Sequence, residues 1–574
     1  MHNRLDIRPV TCYNVAIMFV EHIKKRYSDK EHVQVLLRET YRERAQGKSK
    51  VKHRTLLNLT HYPKEIQQAI AVAVSAPRRV VDMMEGPAAN EITVGETRSI
   101  GAVWCVARVA QHLGITEALG RGRQAQLALW QIIARVVDQG SRLSAVRLQQ
   151  RHALAEVIGL EQGLDEDDLY DNLTWLCERQ SAIEQRLFRQ RHGEHPPRML
   201  LYDVTSSYLE GQQNAFGAFG YSRDKKKGKK QIVVGLLCDH LGSPLSVQVF
   251  KGNTQDPKTM QPQIEKALEQ FGCDTVTFVG DRGMIKNAQM DALNALNYHF
   301  ITALTKPQIT GLIKQEALQL DMFEEHLCEV SYDGRRLILR RNPVRAQEMA
   351  QSRADKQRCV ETFVAQRNAY LREHPRASME VALKEAQKKI DKLKIGQWFH
   401  VVARERTLIS SIDRNALNEA SRLDGCYVIV TDLKHKQADA QLVHERYRDL
   451  ARVEKGFRVS KTGHLELRPI YVQTKEHTCG HVFVVMMSYM IRRELERAWQ
   501  EFDMTVEEGL DMLSSVAVAP ITLSPTCTIE KITTPAEQSQ NLLQVLNIEL
   551  PPAIPKSDVR VATKKKLPQR RIRQ

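Results

Sequence analysis

Two short apolar runs, each ending on an aspartate, constrain this chain more than any other feature. The first is Leu200-Leu201-Tyr202-Asp203-Val204-Thr205-Ser206-Ser207. The second is Val276-Thr277-Phe278-Val279-Gly280-Asp281-Arg282-Gly283. A run of β-prone residues ending on an acid reads as a buried strand with a carboxylate at its C-terminal tip. If the two strands are parallel neighbours, the carboxylates sit side by side. Close carboxylates repel, and a cation between them relieves the repulsion. A hard divalent metal is the natural candidate.

The elements between and around these runs fit one α/β order. A loop carrying Lys225-Lys226-Lys227-Gly228-Lys229-Lys230 follows the first strand. Two β-prone runs over 231–237 and 245–250 are joined by the turn Leu241-Gly242-Ser243-Pro244, a hairpin signal. An amphipathic helix over 257–271, the Asp281 strand, a helix over 285–296 and a strand over 298–304 complete the series. Three meandering strands, helix, strand, helix, strand is the order of the ribonuclease-H-like fold. In that fold the first and fourth strands are parallel neighbours, and Asp203 and Asp281 fall at their matching ends.

Charge narrows the class of partner. The 574 residues carry a formal net charge of +16, which points to an anionic partner, most simply nucleic acid. Ten cysteines are scattered singly, with no CxxC pair, so structural zinc is not expected and a reducing compartment is. No secretory leader is evident. The apolar run over 480–491 is too short for a membrane span and reads as a core helix.

The rest of the chain divides by pattern. Residues 1–65 form a basic module with a β-hairpin over 33–42 and 51–59. Seven Lys or Arg stand between Arg38 and Arg54, either as phosphate contacts or as a solvated face. Residues 66–197 are helical, and Asp165-Glu166-Asp167-Asp168 is expected to cap a helix. The core occupies 198–305 and resumes over 425–500, with an inserted subdomain over 306–424 between. The last part, 501–574, is expected to run down in order into a basic tail from Lys556.

A third acid stands on a helix expected from about Ala438 to Phe457. Tyr447, Glu454 and Lys461 are spaced by seven, almost two helical turns, so Tyr447 and Glu454 share a face. Lys461 joins them if the helix continues past Gly456. Spacing alone favours an ordinary exposed helix. Together, Asp203-Val204-Thr205-Ser206-Ser207, Gly252-Asn253-Thr254-Gln255-Asp256, Asp281-Arg282-Gly283 and the Tyr447, Glu454, Lys461 set resemble the DDE transposases of bacterial insertion sequences. The resemblance is to the branch marked by Tyr-x2-Arg-x3-Glu-x6-Lys and covers about 199–305 and 425–500. The Arg slot holds Leu450 instead, with Arg448 and Arg452 the nearest replacements.

The resemblance implies a catalytic and metal-binding triad of Asp203, Asp281 and Glu454 that holds two Mg²⁺ or Mn²⁺ ions. Asp203 would bridge both ions. It implies DNA contacts from Arg282, Tyr447 and Lys461, and the loop lysines Lys225, Lys226, Lys227, Lys229 and Lys230 add a plausible backbone contact. The implied activity is metal-dependent cleavage at element ends followed by strand transfer. The implied partners are double-stranded DNA, both element ends and target, and a second copy of the chain in the DNA complex. No membrane is implied, and the expected setting is the bacterial cytoplasm at the nucleoid. A catalytically idle DNA-binding transposition inhibitor and a plain metal-dependent nuclease are the alternatives.

Overall fold

The computed structural model describes residues 17–27, 30–45, 48–76, 92–193, 195–211, 213–224, 226–461, 465–469, 471–524 and 527–554. Lys225 and the basic tail from Lys556 therefore lie outside the described residues. The chain forms two compact units, one of residues 1–97 with 519–531 and one of 98–518 with 532–574.

The smaller unit is built on an antiparallel meander of β1 (Met18–Tyr27), β2 (Lys30–Ala45) and β3 (Lys48–Asn58), followed by α1 (Lys64–Ser75). β2 and β3 are the expected hairpin. β1 was not legible in the sequence, because its second half is charged and the period-two alternation is lost there. Val35, Leu36 and Leu59 form the buried centre. The Thr60 hydroxyl accepts the backbone N–H of Val35 at 3.0 Å and ties the end of β3 to β2. The two-residue β4 (Thr93–Val94) pairs with Ile521 and Thr522.

The larger unit begins at β5 (Arg98–Ser99) and a helical series. The helices are α2 (Gly101–His112), α3 (Ile115–Leu119), α4 (Arg123–Val137), α5 (Arg142–Arg147), α6 (Leu154–Ile158) and α7 (Glu166–His192). Asp165 caps α7 as expected. Its side chain accepts from the backbone of Asp167 and Asp168, and Asp168 returns the bond to the backbone of Asp165.

The central sheet starts with β6 (Met199–Tyr208), β7 (Gln231–Asp239) and β8 (Pro244–Lys251), a meander. It continues through α8 (Asp256–Glu265), β9 (Thr277–Gly280), α9 (Asn287–Ala295), β10 (His299–Ala303) and α10 (Lys306–Lys314). β11 (Cys328–Tyr332) and β12 (Arg335–Arg341) come next. The eight-stranded sheet is mixed, in the order β11-β12-β15-β10-β9-β6-β7-β8, where β15 is Cys426–Thr431. β6 pairs in parallel with β9, and β9 with β10. The expected parallel neighbours are thus adjacent. Strand alternation splits the core cleanly. Leu201, Ile232 and Val234 pack into the helical layer of α2, α4 and α7, whereas Leu200, Tyr202 and Val233 pack with Met260 and Ile264 of α8 on the other face.

Residues 343–421 close a hydrophobic cluster of their own. It comprises α11 (Pro343–Glu373), α12 (Met379–Leu393), the hairpin of β13 (Phe399–Arg404) and β14 (Thr407–Ile412), and α13 (Arg414–Ser421). β11 and β12 precede it in sequence but belong to the central sheet.

The single helix expected over 438–457 is two, α14 (Ala440–Arg448) and α15 (Leu450–Lys461), interrupted at Asp449. α15 does continue past Gly456, where an added Cβ would lie 3.1 Å from the Tyr489 ring. That ring belongs to α16 (Lys475–Ala498), whose residues 480–491 are buried. The expected loss of order after 500 does not occur over 501–554. α17 (Val506–Ser514), β16 (Ala517–Ser524), β17 (Cys527–Ile532) and α18 (Glu537–Gln544) are regular. Leu510, Leu513, Leu542 and Leu543 are buried, and Trp499 Nε1 donates to the Leu542 carbonyl at 3.1 Å. Short amphipathic elements bury enough apolar surface to order this stretch. Among the described residues no helix is long and apolar enough to cross a membrane.

Two glycines make the packing testable. A Cβ on Gly480 of α16 would lie 2.2 Å from the Leu173 carbonyl oxygen of α7, whereas one on Gly311 of α10 would meet nothing within 4 Å. Gly480→Ala should lower unfolding stability by about 1–3 kcal/mol through overpacking. Gly311→Ala should raise it by about 0.5–1 kcal/mol through helix propensity. Denaturant unfolding of both variants beside the parent checks the opposite signs.

Candidate active site

The register of β6 on β9 places the first two acids. Met199 lies opposite Thr277, and the pairing runs to Tyr202 opposite Gly280. One step further along both parallel strands comes Asp203 beside Asp281. β6 continues to Tyr208, whereas β9 ends at Gly280, so Asp203 is half-buried in a strand and Asp281 is exposed at a strand end.

The third acid is carried past them on α15. Leu450, Val453, Phe457 and Ser460 form the buried face of this helix, and Gly456 allows it to approach α16. Glu454 is left exposed on the flank. The electrostatics of Asp203 show that all three acids share one locality. Burial pushes the Asp203 carboxyl up to about 7, and the negative charges of Asp281 and Glu454 push in the same direction. The Val204 backbone N–H and the Arg223 guanidinium pull the other way.

The residues around the acids form paired charges. The Tyr447 hydroxyl donates to Asp281 Oδ1 at 3.2 Å. Burial and the Asp281 charge both raise the pKa of that phenol, so it stays a donor, while the Arg282 charge opposes them. Lys461 Nζ lies 2.8 Å from Asp224 Oδ1, so its ammonium is engaged within the chain. Arg223 donates to Asp256 Oδ2 at 2.7 Å, and its backbone N–H donates to the Ser206 hydroxyl at 2.9 Å. Arg223 and Asp224 were not singled out in the sequence. Their partners Ser206, Asp256 and Lys461 lay in quoted motifs, but the contacts themselves join distant segments.

Leu450, in the slot where the family pattern has Arg, is 7% exposed and part of the core. Of its two candidate replacements, Arg452 is held by Asp449 at 3.1 Å and by the His240 carbonyl. It therefore faces the β7–β8 turn. Arg448 is exposed. The lysine loop is partly committed as well. Lys226 stands over the Tyr208 ring, and Lys229 lies 3.7 Å from Glu210. Lys227 is exposed and Lys230 half-buried.

Three carboxylates, with no thiol or imidazole among them, are the donor set of a hard divalent cation. The Asp203 pKa is raised by burial first, with the charges of Asp281 and Glu454 adding to it, and a cation would offset it. Among the described residues no three His, Cys, Asp or Glu groups are already drawn tightly enough to hold a metal ion.

Comparison with known proteins agrees with this architecture. Residues 194–491, more than half of the chain, match the transposase DDE domain family. Residues 20–87 match the N-terminal domain of the IS1634 family of transposases. This chain belongs to the DDE transposases of insertion sequences. No curated protein sequence matches it. Among solved structures, it is similar to a piggyBac transposase synaptic complex with hairpin DNA, at 9% identity and a TM-score of 0.34 over 71% of this chain and 76% of that one. It is also similar to a Mos1 transposase paired-end complex with the left transposon end, at 14% identity and a TM-score of 0.14 over 31% of this chain and 59% of that one. Likeness at that level carries no weight for the details of the site.

The raised Asp203 pKa sets a pH dependence. A carboxyl whose folded pKa lies above its unfolded value is penalised on ionisation, so stability falls as pH rises from about 4 to about 7. Asp203→Asn should remove that fall. The variant should melt higher than the parent at pH 8 in the presence of a chelator, and the difference should vanish at pH 4. Added Mg²⁺ should raise the melting temperature of the parent at pH 8 and not that of the variant. Equal melting curves at both pH values would contradict the assignment of the shift to Asp203.

Proposed function

We propose that this chain cuts DNA at the ends of an insertion sequence and joins the freed ends to target DNA. Asp203, Asp281 and Glu454 are the catalytic carboxylates. The observation that carries this reading is the pairing of β6 with β9, which sets two acids at one level, with the charge of a third, from α15, felt at Asp203. We read the sheet as a ribonuclease-H-like core, interrupted by a subdomain within 306–424, and the preceding basic and helical regions as DNA-end binding.

Asp203, Asp281 and Glu454 would hold Mg²⁺ or Mn²⁺. Such ions supply activation of an attacking oxygen and neutralisation of charge on a leaving oxygen. The chain's own side chains supply position. Tyr447 holds Asp281 through its hydroxyl and limits the carboxylate's rotation. Arg223, fixed by Asp256 and Ser206, brings a positive charge to Asp203 and favours its ionised form. Arg282 follows Asp281 directly and offers a guanidinium to a phosphate. Lys461 acts through Asp224 and holds the end of α15 against the loop after β6. Phosphodiester transfer needs little general-base work from a side chain, so no histidine base is required. The DNA complex is expected to contain two copies of the chain, each acting on one element end.

Glu454→Gln separates chemistry from binding. The side chain is exposed and contributes little packing, so the fold and the affinity for end DNA should persist. Cleavage and joining should both fall by several decades, each decade being about 1.4 kcal/mol of transition-state stabilisation. A mobility shift and a Mg²⁺ cleavage time course on the same preparation test this. Joining assays also separate the transposase from a plain nuclease, which cuts and never joins. Cleavage by the variant at near the parent rate would remove Glu454 from the triad.

A further inference from the structure

The larger unit contains a second charged site that the carboxylate chemistry does not use. A cavity of about 310 Å³ is lined by Arg135 of α4, Arg142 of α5, His481 of α16, Arg468 and Glu466. Arg135 and Arg142 are each 6% exposed, and His481 is 4% exposed. A buried guanidinium is costly unless it is paired.

Elsewhere in this unit buried arginines are paired. Arg336 donates to both oxygens of Glu329, at 2.7 and 2.8 Å, and to the carbonyls of Leu433 and Ala438. Arg492 lies 2.7 Å from Glu507. Arg135 and Arg142 have no carboxylate partner among the described residues. Arg135 donates to the Gln139 carbonyl at 3.1 Å. Arg142 donates to Gln131 Oε1 at 2.9 Å and to His481 Nδ1 at 3.2 Å. These acceptors are neutral and use only part of each guanidinium.

The remaining groups do not neutralise the cavity. Its one lining carboxylate, Glu466, is engaged by Arg468 at 2.6 and 2.8 Å. Because Nδ1 of His481 accepts from Arg142, its Nε2 carries the proton. Nε2 is buried against the backbone of Leu467 and Glu466, which hydrogen-bonds the ring. Burial and the neighbouring arginines hold this imidazole neutral. Burial pulls Arg135 down to about 10 against the charges of Glu466 and Asp138, and burial with the Arg135 charge pulls Arg142 down to about 9.

A dianionic or monoanionic group with several acceptor oxygens would satisfy these donors together, and arginine geometry matches phosphate. The cavity is also linked to the candidate active site. Arg468 donates to the Tyr208 hydroxyl at the end of β6, five residues beyond Asp203, about 17 Å along an extended strand. We propose that Arg135 and Arg142, the latter held by His481, form a phosphate-binding pocket that grips one backbone phosphate of the bound DNA. This rests on the reading of the chain as a DNA-processing enzyme and adds a positioning site to it.

The test uses the full chain with Arg135→Gln, Arg142→Gln and Arg142→Lys variants. In the first arm, thermal unfolding is followed in inorganic phosphate and in chloride of equal ionic strength. The parent and Arg142→Lys should be stabilised by phosphate, and both Gln variants should lose that shift. In the second arm, affinity for end DNA is measured against salt. Each Gln variant should reduce the slope of log affinity against log salt by about 0.9, the value for one lost phosphate contact. In the third arm, a single neutral methylphosphonate is walked along the end DNA. One position should weaken the parent and have no further effect on the Gln variants.

Phosphate stabilisation without a change in slope or any sensitive methylphosphonate position would mean a free-phosphate site and overturn the DNA assignment. Absence of all three effects would overturn the pocket. If the Gln variants do not fold, the phosphate shift and the methylphosphonate walk on the parent alone decide. A parent that binds no end DNA would defeat the transposase reading, while the phosphate arm still judges the pocket.

Discussion

The parallel pairing of β6 with β9 is the interaction on which the rest depends. It fixes Asp203 and Asp281 at one level, one step beyond the last paired residues, Tyr202 and Gly280. A slip of one residue would turn one side chain to the opposite face of the sheet. The apolar pattern resists that slip, since Leu201 and Leu200 are committed to cores on opposite faces. Apolar packing thus holds two like charges together, and burial of Asp203, with those charges adding to it, raises its pKa.

The surroundings temper that cost without removing it. Arg223 lies close enough to lower the Asp203 pKa, yet it is bonded to Asp256, and Lys461 is bonded to Asp224. Both of these cations are therefore held by carboxylates outside the three acids. That arrangement suits a site that takes its own cation. The buried arginine pair of α4 and α5 is the reverse case, positive charge held by packing in excess of its carboxylates. On the proposed reading, a chain that takes up metal ions and DNA has use for both.

Much of this was legible in the sequence where local pattern and tertiary role coincide. The strands bearing Asp203 and Asp281, the β7–β8 hairpin and the core helix over 480–491 all carry their burial in their periodicity. Glu454 was different. Helical spacing alone is that of an exposed charged face, and only the family's Tyr, Glu and Lys pattern singled it out. Arg223, Asp224 and Asp256 depend on contacts between distant segments, which no local pattern encodes. Arg135 and Arg142 read as ordinary helix arginines, because burial by α16 is decided more than 300 residues later. β1 was missed because its second half is charged, and the elements after 500 because each is short.

The most direct test of the central claim is anomalous diffraction from Mn²⁺ in crystals of the chain bound to end DNA. The account predicts manganese density in contact with carboxylate oxygens of Asp203, Asp281 and Glu454 together, beside the terminal phosphate. Manganese held by the two aspartates with Glu454 turned away, or manganese bound elsewhere on the chain, would contradict it.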